Sequence, residues 1–368
     1  MASPTPSWLQ HPAFEGLEQA EEGLALSVWK DGQEMFSEAH GHANPDSAWE
    51  VDTISWLWSA TKPLAAWTLL KVWHEAGLRL DDCIAEVWPA FGQQEKDSIT
   101  LRQLLAHEAG LPVLDPPVPS ITDWAGVGEA LAQQKPVWTP GSAHGYHART
   151  FGFLCGHTVE ALTKKSFQEV WQEQIGGPYH LDISFGHASS VPATLRAPRA
   201  LSDSEHDRIF YSRFAKPDSL TQRTFQSPSG LNSPTSLNLP GTMEILNPSF
   251  GAVGSARDLA KFYMHLMADC LGLSWLQEVL GAPAPEIDKV LGVPTRYALG
   301  LMVHSPLALG SFSKGFGHPG AGGMLGMADP ETGCAVGLIR NGMQPGLFPS
   351  AAVQDWLHSL VKRIADVY

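Results

Sequence analysis

Strand patterns occur at both ends of this chain, and helical patterns lie between them. Residues 24–29 form an alternating run that enters an Asp31-Gly32 turn, and residues 34–42 continue as a second strand. Glycine-rich turns join three further strand patterns near the other end, at residues 315–318, 324–328 and 334–340. Apolar residues then recur at helical spacing over residues 353–364. These positions predict one discontinuous antiparallel sheet with a C-terminal helix packed on it.

The middle of the chain carries helix-start signals. Thr100 and Gln103 have the spacing of a capping box, and Ser255 and Asp258 repeat it with a shorter acid. Residues 185–250 are rich in Pro, Ser, Asn and Thr and have few periodic stretches. That composition predicts an irregular surface excursion able to shape a substrate site.

Strands at the ends and helices in the middle indicate an α+β protein. With 368 residues, 43% of them hydrophobic, the chain can bury a core shared by two intertwined domains. We predict a sheet domain formed by residues 1–60 and 251–368, and a mostly helical domain formed by residues 61–250.

Charge and composition exclude several kinds of partner. The net charge of −14 argues against a nucleic-acid surface, because phosphate binding requires clustered cations. No run approaches the roughly 18 apolar residues of a membrane helix. Residues 1–12 lack the basic and apolar parts of a signal peptide, so we expect a cytoplasmic protein without a membrane span.

Metal and cofactor signals are weak in this sequence. Four cysteines without paired spacing predict reduced thiols, with no disulfide framework or zinc site, at Cys83, Cys155, Cys270 and Cys334. His144 and His147 have no third ligand at a useful spacing, and no nucleotide-binding fingerprint occurs. We therefore predict neither a metal nor a cofactor.

A Ser-x-x-Lys tetrad at residues 59–62 gives the clearest chemical signal. Positions i and i+3 share one face of a helix but point to opposite sides of a strand, so only a helical setting brings the hydroxyl to the amine. Three other copies begin at Ser27, Ser311 and Ser359. The first lies in a strand pattern and the second in a glycine-rich approach to a strand. The third lies near a helix C-terminus, where the dipole opposes an alkoxide.

Ser59 alone stands where a helix begins. The apolar, helix-favouring residues 64–76 follow it and stop at Gly77, a typical residue after a helix end. Pro63 is tolerated in a first turn, because the N–H it lacks has no partner there. A simpler alternative is that Ser59 only caps the helix and Lys62 is solvated.

A nucleophile also needs an acid and oxyanion donors. Tyr146 follows a Trp-Thr-Pro-Gly turn signal at residues 138–141 and precedes a helix pattern at residues 150–162, so it stands at a loop tip. The glycines of the stretch from His318 to Gly320, on and after a predicted edge strand, allow a ligand to approach the backbone closely. No G-x-S-x-G surrounds Ser59, which disfavours nucleophile-elbow hydrolases.

In this order, the Ser-x-x-Lys, the tyrosine motif and the His-x-Gly strand motif resemble the serine β-lactamase and penicillin-binding-protein superfamily. The chain is most similar to its class C β-lactamase-related esterases, the family VIII carboxylesterases. Further stretches in the style of that family are residues 99–112, 138–150, 252–259 and 316–340. The resemblance spans nearly the whole chain. It implies an antiparallel sheet flanked by helices, an inserted helical domain, and a cleft between the two.

The resemblance also implies the roles of individual residues. Ser59 is the implied nucleophile, Lys62 its base and Tyr146 the third catalytic group. The backbone N–H groups of Ser59 and Ala321 are the implied oxyanion donors. Trp56 and Trp58, just before the nucleophile, are candidates for lining an acyl pocket.

Two departures from the penicillin-recognising pattern affect the expected substrate. Ala148 stands where those proteins have Asn after the tyrosine, so it has no side-chain amide to hold an acylamino group. The strand motif His318-Pro319-Gly320 replaces Lys-Thr/Ser-Gly, with His318 and Gly320 orienting substrate or tyrosine. Histidine titrates near 6.5 and is a weaker, pH-dependent anchor for a carboxylate than lysine.

These features together predict a serine hydrolase that cleaves small carboxylic esters through an acyl-serine. A β-lactamase, a D-amino-acid peptidase or amidase, and an acyltransferase are alternatives with the same chemistry. A non-catalytic binding protein is an alternative of another class. The expected partner is a small ester or amide, and the sequence does not indicate an oligomeric state.

Overall fold

The computed structural model describes residues 22–188, 190, 192–198, 200–268 and 274–367. Numbered in chain order, its strands are β1 Gly23–Lys30, β2 Gln33–Asn44, β3 Ser47–Ala48, β4 Ser55–Trp56, β5 Ser184–Phe185, β6 Ala252–Gly254, β7 Glu286–Ile287, β8 Pro294–Thr295, β9 Tyr297–Ala298, β10 Leu301–Val303, β11 Phe316–Gly320, β12 Met324–Asp329 and β13 Cys334–Arg340. Its helices are α1 Lys62–Glu75, α2 Ile84–Val87, α3 Leu101–Leu105, α4 Trp124–Gln133, α5 Phe151–Thr163, α6 Phe167–Trp171, α7 Glu205–Phe214, α8 Leu220–Gln226, α9 Ala256–Ala268, α10 Ser274–Gly281, α11 Pro306–Leu309 and α12 Ala351–Val367. No helix in these ranges is long and apolar enough to cross a membrane.

The main sheet joins the two ends of the chain. Its eight strands have the order β3-β2-β1-β13-β12-β11-β10-β9, and each neighbouring pair is antiparallel. Strand β1 pairs with β13 from Leu24 opposite Arg340 to Lys30 opposite Cys334. The prediction of one discontinuous antiparallel sheet is therefore confirmed. The boundaries of the two domains stay a prediction.

Helices cover both faces of this sheet. Because side chains alternate along a strand, Leu24 and Leu26 join the apolar cluster beneath α12, whereas Ala25 joins the larger core with α9. Helix α9 packs close to β13. A Cβ atom on Gly337 would lie 2.1 Å from the carbonyl oxygen of Ala256, so this contact requires glycine.

The helix after Ser59 begins and ends where the sequence predicts. A 3₁₀ turn, Trp58–Thr61, leads directly into α1. Gly77, with φ +74, follows the end of that helix. Helix α1 packs against α5 in the main core, and this packing holds the end of the 3₁₀ turn that joins α1.

Two predictions need correction. The excursion at residues 185–250 contains helices α7 and α8, because Ser204 and Ser219 cap their first turns and aromatic side chains pack the pair together. Strand β11 is internal, not an edge, since it pairs with both β10 and β12. However, β10 pairs only with Phe316 and Gly317, so the half of β11 that contains the His-x-Gly motif is unpaired on that side.

Candidate active site

Ser59 lies in the 3₁₀ turn between β4 and α1. Trp58, the residue before it, has φ +49, a conformation that bulky residues rarely adopt, and its indole ring stacks on Phe250 with centroids 6.0 Å apart. The strained residue turns the chain sharply from β4 into the helix. It thereby presents the Ser59 hydroxyl to the pocket described below.

Lys62 contacts this hydroxyl from the first turn of α1. Its Nζ atom lies 3.3 Å from Ser59 Oγ, as expected for side chains at i and i+3. The same Nζ lies 2.9 Å from the carbonyl oxygen of Ala148 and 2.9 Å from that of Ser249. The lysine side chain is fully buried, so the alternative of a solvated lysine is wrong.

Burial determines the protonation state of the Lys62 amine. Desolvation lowers the pKa of Lys62 well below its ordinary value of 10.5, with a smaller opposing effect of Cys155. A neutral amine has two N–H groups and one lone pair. The carbonyls of Ala148 and Ser249 accept both N–H groups, which leaves the lone pair for the Ser59 hydroxyl.

Tyr146 approaches the same hydroxyl from the helical side of the cleft. Its side chain is buried, and the centroid of its ring lies 4.7 Å from Lys62 Nζ. Burial raises the pKa of the phenol, while its hydrogen bond with Ser59 opposes part of that rise and the charge of Asp288 adds to it. The phenol therefore stays protonated, beside an amine that does not.

His318 forms the opposite wall, with its ring centroid 5.8 Å from that of Tyr146. Burial, and then the nearby Lys62, lower the pKa of His318 to about 3. This corrects the expectation of a histidine titrating near 6.5. The neutral ring donates its Nδ1–H to the carbonyl oxygen of Pro319 at 2.7 Å, so Nε2 is a bare acceptor, buried and without a partner among the described residues.

The two residues implied as oxyanion donors lie beside the same pocket. Ser59 and Ala321 both line the pocket. A Cβ atom on Gly320 would lie 2.5 Å from the carbonyl oxygen of Leu57, so glycine is what allows β11 to approach the 3₁₀ turn. The close approach brings the backbone after β11 next to the nucleophile.

The pocket is small and has an apolar wall. Its interior volume is about 40 Å³. The wall consists of five side chains from four separate segments: Phe225, Leu291, Met302, Leu347 and Phe348. Neither Trp56 nor Trp58 lines it, so their expected pocket role is wrong. Sequence reasoning missed the five, since isolated apolar residues look the same in a core and in a pocket.

Asp288 is a polar residue that sequence reasoning also missed. Its carboxylate is fully buried and accepts hydrogen bonds from the backbone N–H groups of Tyr146 at 3.0 Å and Leu291 at 2.8 Å. It also accepts from the backbone N–H of Val290 and from the hydroxyls of Thr295 and Tyr297. One carboxylate therefore fixes both the backbone of Tyr146 and the backbone of Leu291, which is part of the pocket wall. A single Asp between unrelated residues gives no sequence signal for this role.

The two histidines considered as metal ligands have other partners. His147 accepts the backbone N–H of Leu111 at Nε2 and donates Nδ1–H to the carbonyl oxygen of Gly145, so neither nitrogen is free for a metal. His144 Nε2 lies 2.8 Å from the hydroxyl oxygen of Thr295. Within the described ranges, no group of three or more His, Cys, Asp or Glu side chains could hold a metal ion.

The chain belongs to the beta-lactamase family, whose model matches residues 11–359. It is 27% identical over 340 residues to the esterase/beta-lactamase LipL of Mycobacterium tuberculosis (strain ATCC 25618 / H37Rv), covering 87% of this chain and 77% of that protein. The predicted family is thereby confirmed, and with it an enzyme of the hydrolase class.

Solved structures show the same fold. A family VIII carboxylesterase superposes with a TM-score of 0.79 at 24% identity, covering 94% of this chain and 93% of that one. EstA from Arthrobacter nitroguajacolicus Rue61a gives 0.80 at 21% identity, with coverage of 97% and 98%. A penicillin-binding-protein homologue from Caulobacter crescentus gives 0.79 at 24% identity, with coverage of 97% and 99%. The predicted fold class, an antiparallel sheet flanked by helices, is confirmed.

Proposed function

We propose that this protein is a carboxylesterase that cleaves small, neutral esters through an acyl group on Ser59. One observation carries the proposal. Lys62 is buried with no counter-charge among the residues that the structure describes, and two backbone carbonyls accept its N–H groups, while Ser59 Oγ lies 3.3 Å from Nζ. Such an amine is a base whose lone pair is directed at the proton of the Ser59 hydroxyl.

Acylation then follows from the positions of three groups. Lys62 accepts the proton of Ser59 as the oxygen attacks the ester carbonyl, and the backbone N–H groups of Ser59 and Ala321 stabilise the oxyanion. Tyr146 gives its proton to the departing alcohol, and the ammonium of Lys62 reprotonates the phenolate. The amine ends neutral, so no proton is lost or gained overall.

Deacylation uses the phenol in the opposite direction. A water molecule attacks the acyl carbonyl and passes a proton to the oxygen of Tyr146, whose own proton moves to the departing Ser59 Oγ. His318 Nε2, a bare acceptor, orients this water or the phenol. The acid is released, and the serine hydroxyl is restored.

The pocket favours esters over β-lactams. Ala148 offers no side-chain amide for an acylamino group, and the neutral His318 offers no positive charge to a carboxylate. The rest of the wall is apolar. Ester cleavage also stands in the names of two similar proteins, an esterase/beta-lactamase and a family VIII carboxylesterase.

Labelling with a fluorophosphonate followed by peptide mass spectrometry tests the nucleophile. We expect modification of Ser59 alone, and loss of p-nitrophenyl butyrate hydrolysis in Ser59→Ala. Ser359→Ala is the matched control, since Ser359 begins the same tetrad but lies exposed on α12 with its hydroxyl donating to the carbonyl of Asp355. Label on another residue, or undiminished turnover in Ser59→Ala, contradicts the proposal.

Comparing p-nitrophenyl butyrate with nitrocefin tests the substrate class. Faster turnover of the ester supports a carboxylesterase, and faster turnover of nitrocefin indicates a β-lactamase. If neither compound acylates the protein, a non-catalytic binding role becomes the better interpretation.

A further inference from the structure

We propose that helix α7 sets the acyl-chain length this esterase accepts, by holding the far wall of the pocket in place so that short acyl groups fit and long ones do not. The inference rests on the proposed esterase function. The pocket interior is only about 40 Å³, so a short acyl group is accommodated more easily than a long one.

Residues 346–348 supply part of this wall and are not themselves part of a helix or strand. Polar groups of α7 hold them. Asp207, almost fully buried, accepts the backbone N–H of Leu347 at 3.1 Å, and the hydroxyl of Tyr211 accepts the backbone N–H of Gly346 at 3.2 Å. The hydroxyl of Ser204 donates to Asp207 at 2.6 Å and fixes the carboxylate.

Gly346 shows how close this contact is. Its φ of +98 favours glycine, and a Cβ atom there would lie 2.5 Å from a carboxylate oxygen of Asp207. The loop is therefore in direct backbone contact with the carboxylate. Any loosening of Asp207 changes the position of Leu347, which lines the pocket.

Aromatic contacts from the same helix hold the other wall residues. Phe210 packs edge-to-face on Phe225 with centroids 5.1 Å apart, and Phe214 does so at 6.2 Å. His206 packs edge-to-face on Phe348 at 5.6 Å. Three of the five apolar wall residues, Phe225, Leu347 and Phe348, thus depend on α7 for their positions.

The two side chains of α7 that hold residues 346 and 347 are set back from the pocket. Neither Asp207 nor Tyr211 lines the pocket, and the groups around Ser59 are held by α1, β11 and Asp288 instead. Weakening their hydrogen bonds should therefore admit longer acyl chains while leaving acetyl transfer nearly unchanged. Asp207 and Tyr211 are positioning residues that act through the pocket wall.

The test is kcat/KM for p-nitrophenyl acetate, butyrate and octanoate in Tyr211→Phe and Asp207→Asn. We expect the octanoate-to-acetate ratio to rise about tenfold or more, the scale of one methylene fitting in a pocket, with the acetate value within about threefold of wild type. Ser212→Ala is the control, because this exposed α7 serine donates only to the carbonyl of Ile209, within the helix. Its ratio should not change.

Phe348→Ala widens the wall and leaves the Asp207 and Tyr211 hydrogen bonds in place, so it should raise the same ratio even if Asp207→Asn folds poorly. A wild-type enzyme that prefers octanoate, unchanged ratios, or equal losses for all three esters in a variant that melts normally would overturn the inference. Failure of the esterase proposal looks different, because wild type would then show no acetate turnover and no acylated Ser59.

Discussion

Replacing Lys62 separates its role as a base from its role in stability, because the chain contains a matched control. Lys96 is also fully buried, and its Nζ donates to two backbone carbonyls, those of Ala132 at 2.9 Å and Gln134 at 2.7 Å. Lys62→Met and Lys96→Met each leave two buried carbonyls without donors. Each carbonyl costs about 1–3 kcal/mol of unfolding free energy.

Only the variant at position 62 should lose turnover. General-base catalysis contributes about 10²–10⁴-fold, so Lys62→Met should lower kcat/KM by that factor, or about 3–5 kcal/mol of transition-state stabilisation. Lys62→Arg should lose as much, since a guanidinium remains charged and has no lone pair for the Ser59 proton. Lys96→Met should stay within about threefold of wild type.

The assay pairs urea unfolding with p-nitrophenyl acetate kinetics on the same preparations. Similar losses of stability with divergent kcat/KM support the assignment. Equal losses of activity in the two methionine variants, measured where both are folded, would refute the reasoning. So would Lys62→Arg with more than a tenth of wild-type turnover.

Four further predictions concern the same site. Protonation removes the lone pair of Lys62, so kcat/KM should fall as pH drops through the lowered pKa of this lysine. His318→Gln should leave this fall in place, because the pKa of His318 is already about 3. The unfolded lysine holds its proton up to about pH 10.5, so urea unfolding should show wild type gaining stability relative to Lys62→Met as pH rises toward that value. Asp288→Asn should lower kcat by about 10- to 100-fold, because the backbone of Tyr146 loses a charged acceptor; Asp258→Asn, remote from the pocket, is the control, and an unchanged kcat would contradict the role. Gly320→Ala should abolish turnover of p-nitrophenyl acetate, since its Cβ would lie 2.5 Å from the carbonyl oxygen of Leu57, just before the 3₁₀ turn, and a normal kcat would mean that β11 can move.

The pair formed by Ser59 and Lys62 could be predicted from sequence because its geometry is local. A spacing of three residues at a helix start determines where Ser59 and Lys62 point, whatever the rest of the chain does. The two-ended sheet could be predicted for a similar reason, since strand patterns and turns are local signals. Tyr146 and His318 required the order of motifs along the chain, and the structure brings both to the same pocket as Ser59.

The remaining parts of the site depend on contacts between distant segments. Asp288 is 142 residues from Tyr146, and no spacing rule connects them. The excursion looked irregular because α7 and α8 are short and derive their stability from aromatic packing, which a composition rich in Ser and Pro conceals. The neutral state of His318 likewise follows from its burial beside Lys62, not from its residue type.

The two buried lysines show what makes one of them a base. Both donate to a pair of backbone carbonyls, and both lie near an aromatic ring, Tyr146 at 4.7 Å and Phe91 at 5.4 Å. Lys96 meets carbonyls at the C-terminal end of α4, where the helix dipole favours a cation, and burial lowers its pKa only to about 8. Lys62 stands in the first turn of α1, where the dipole opposes a cation, and burial lowers its pKa well below 10.5. Carbonyl pairs hold a buried lysine in place, but the helix end it occupies and the hydroxyl within its reach decide whether it carries a charge or accepts a proton.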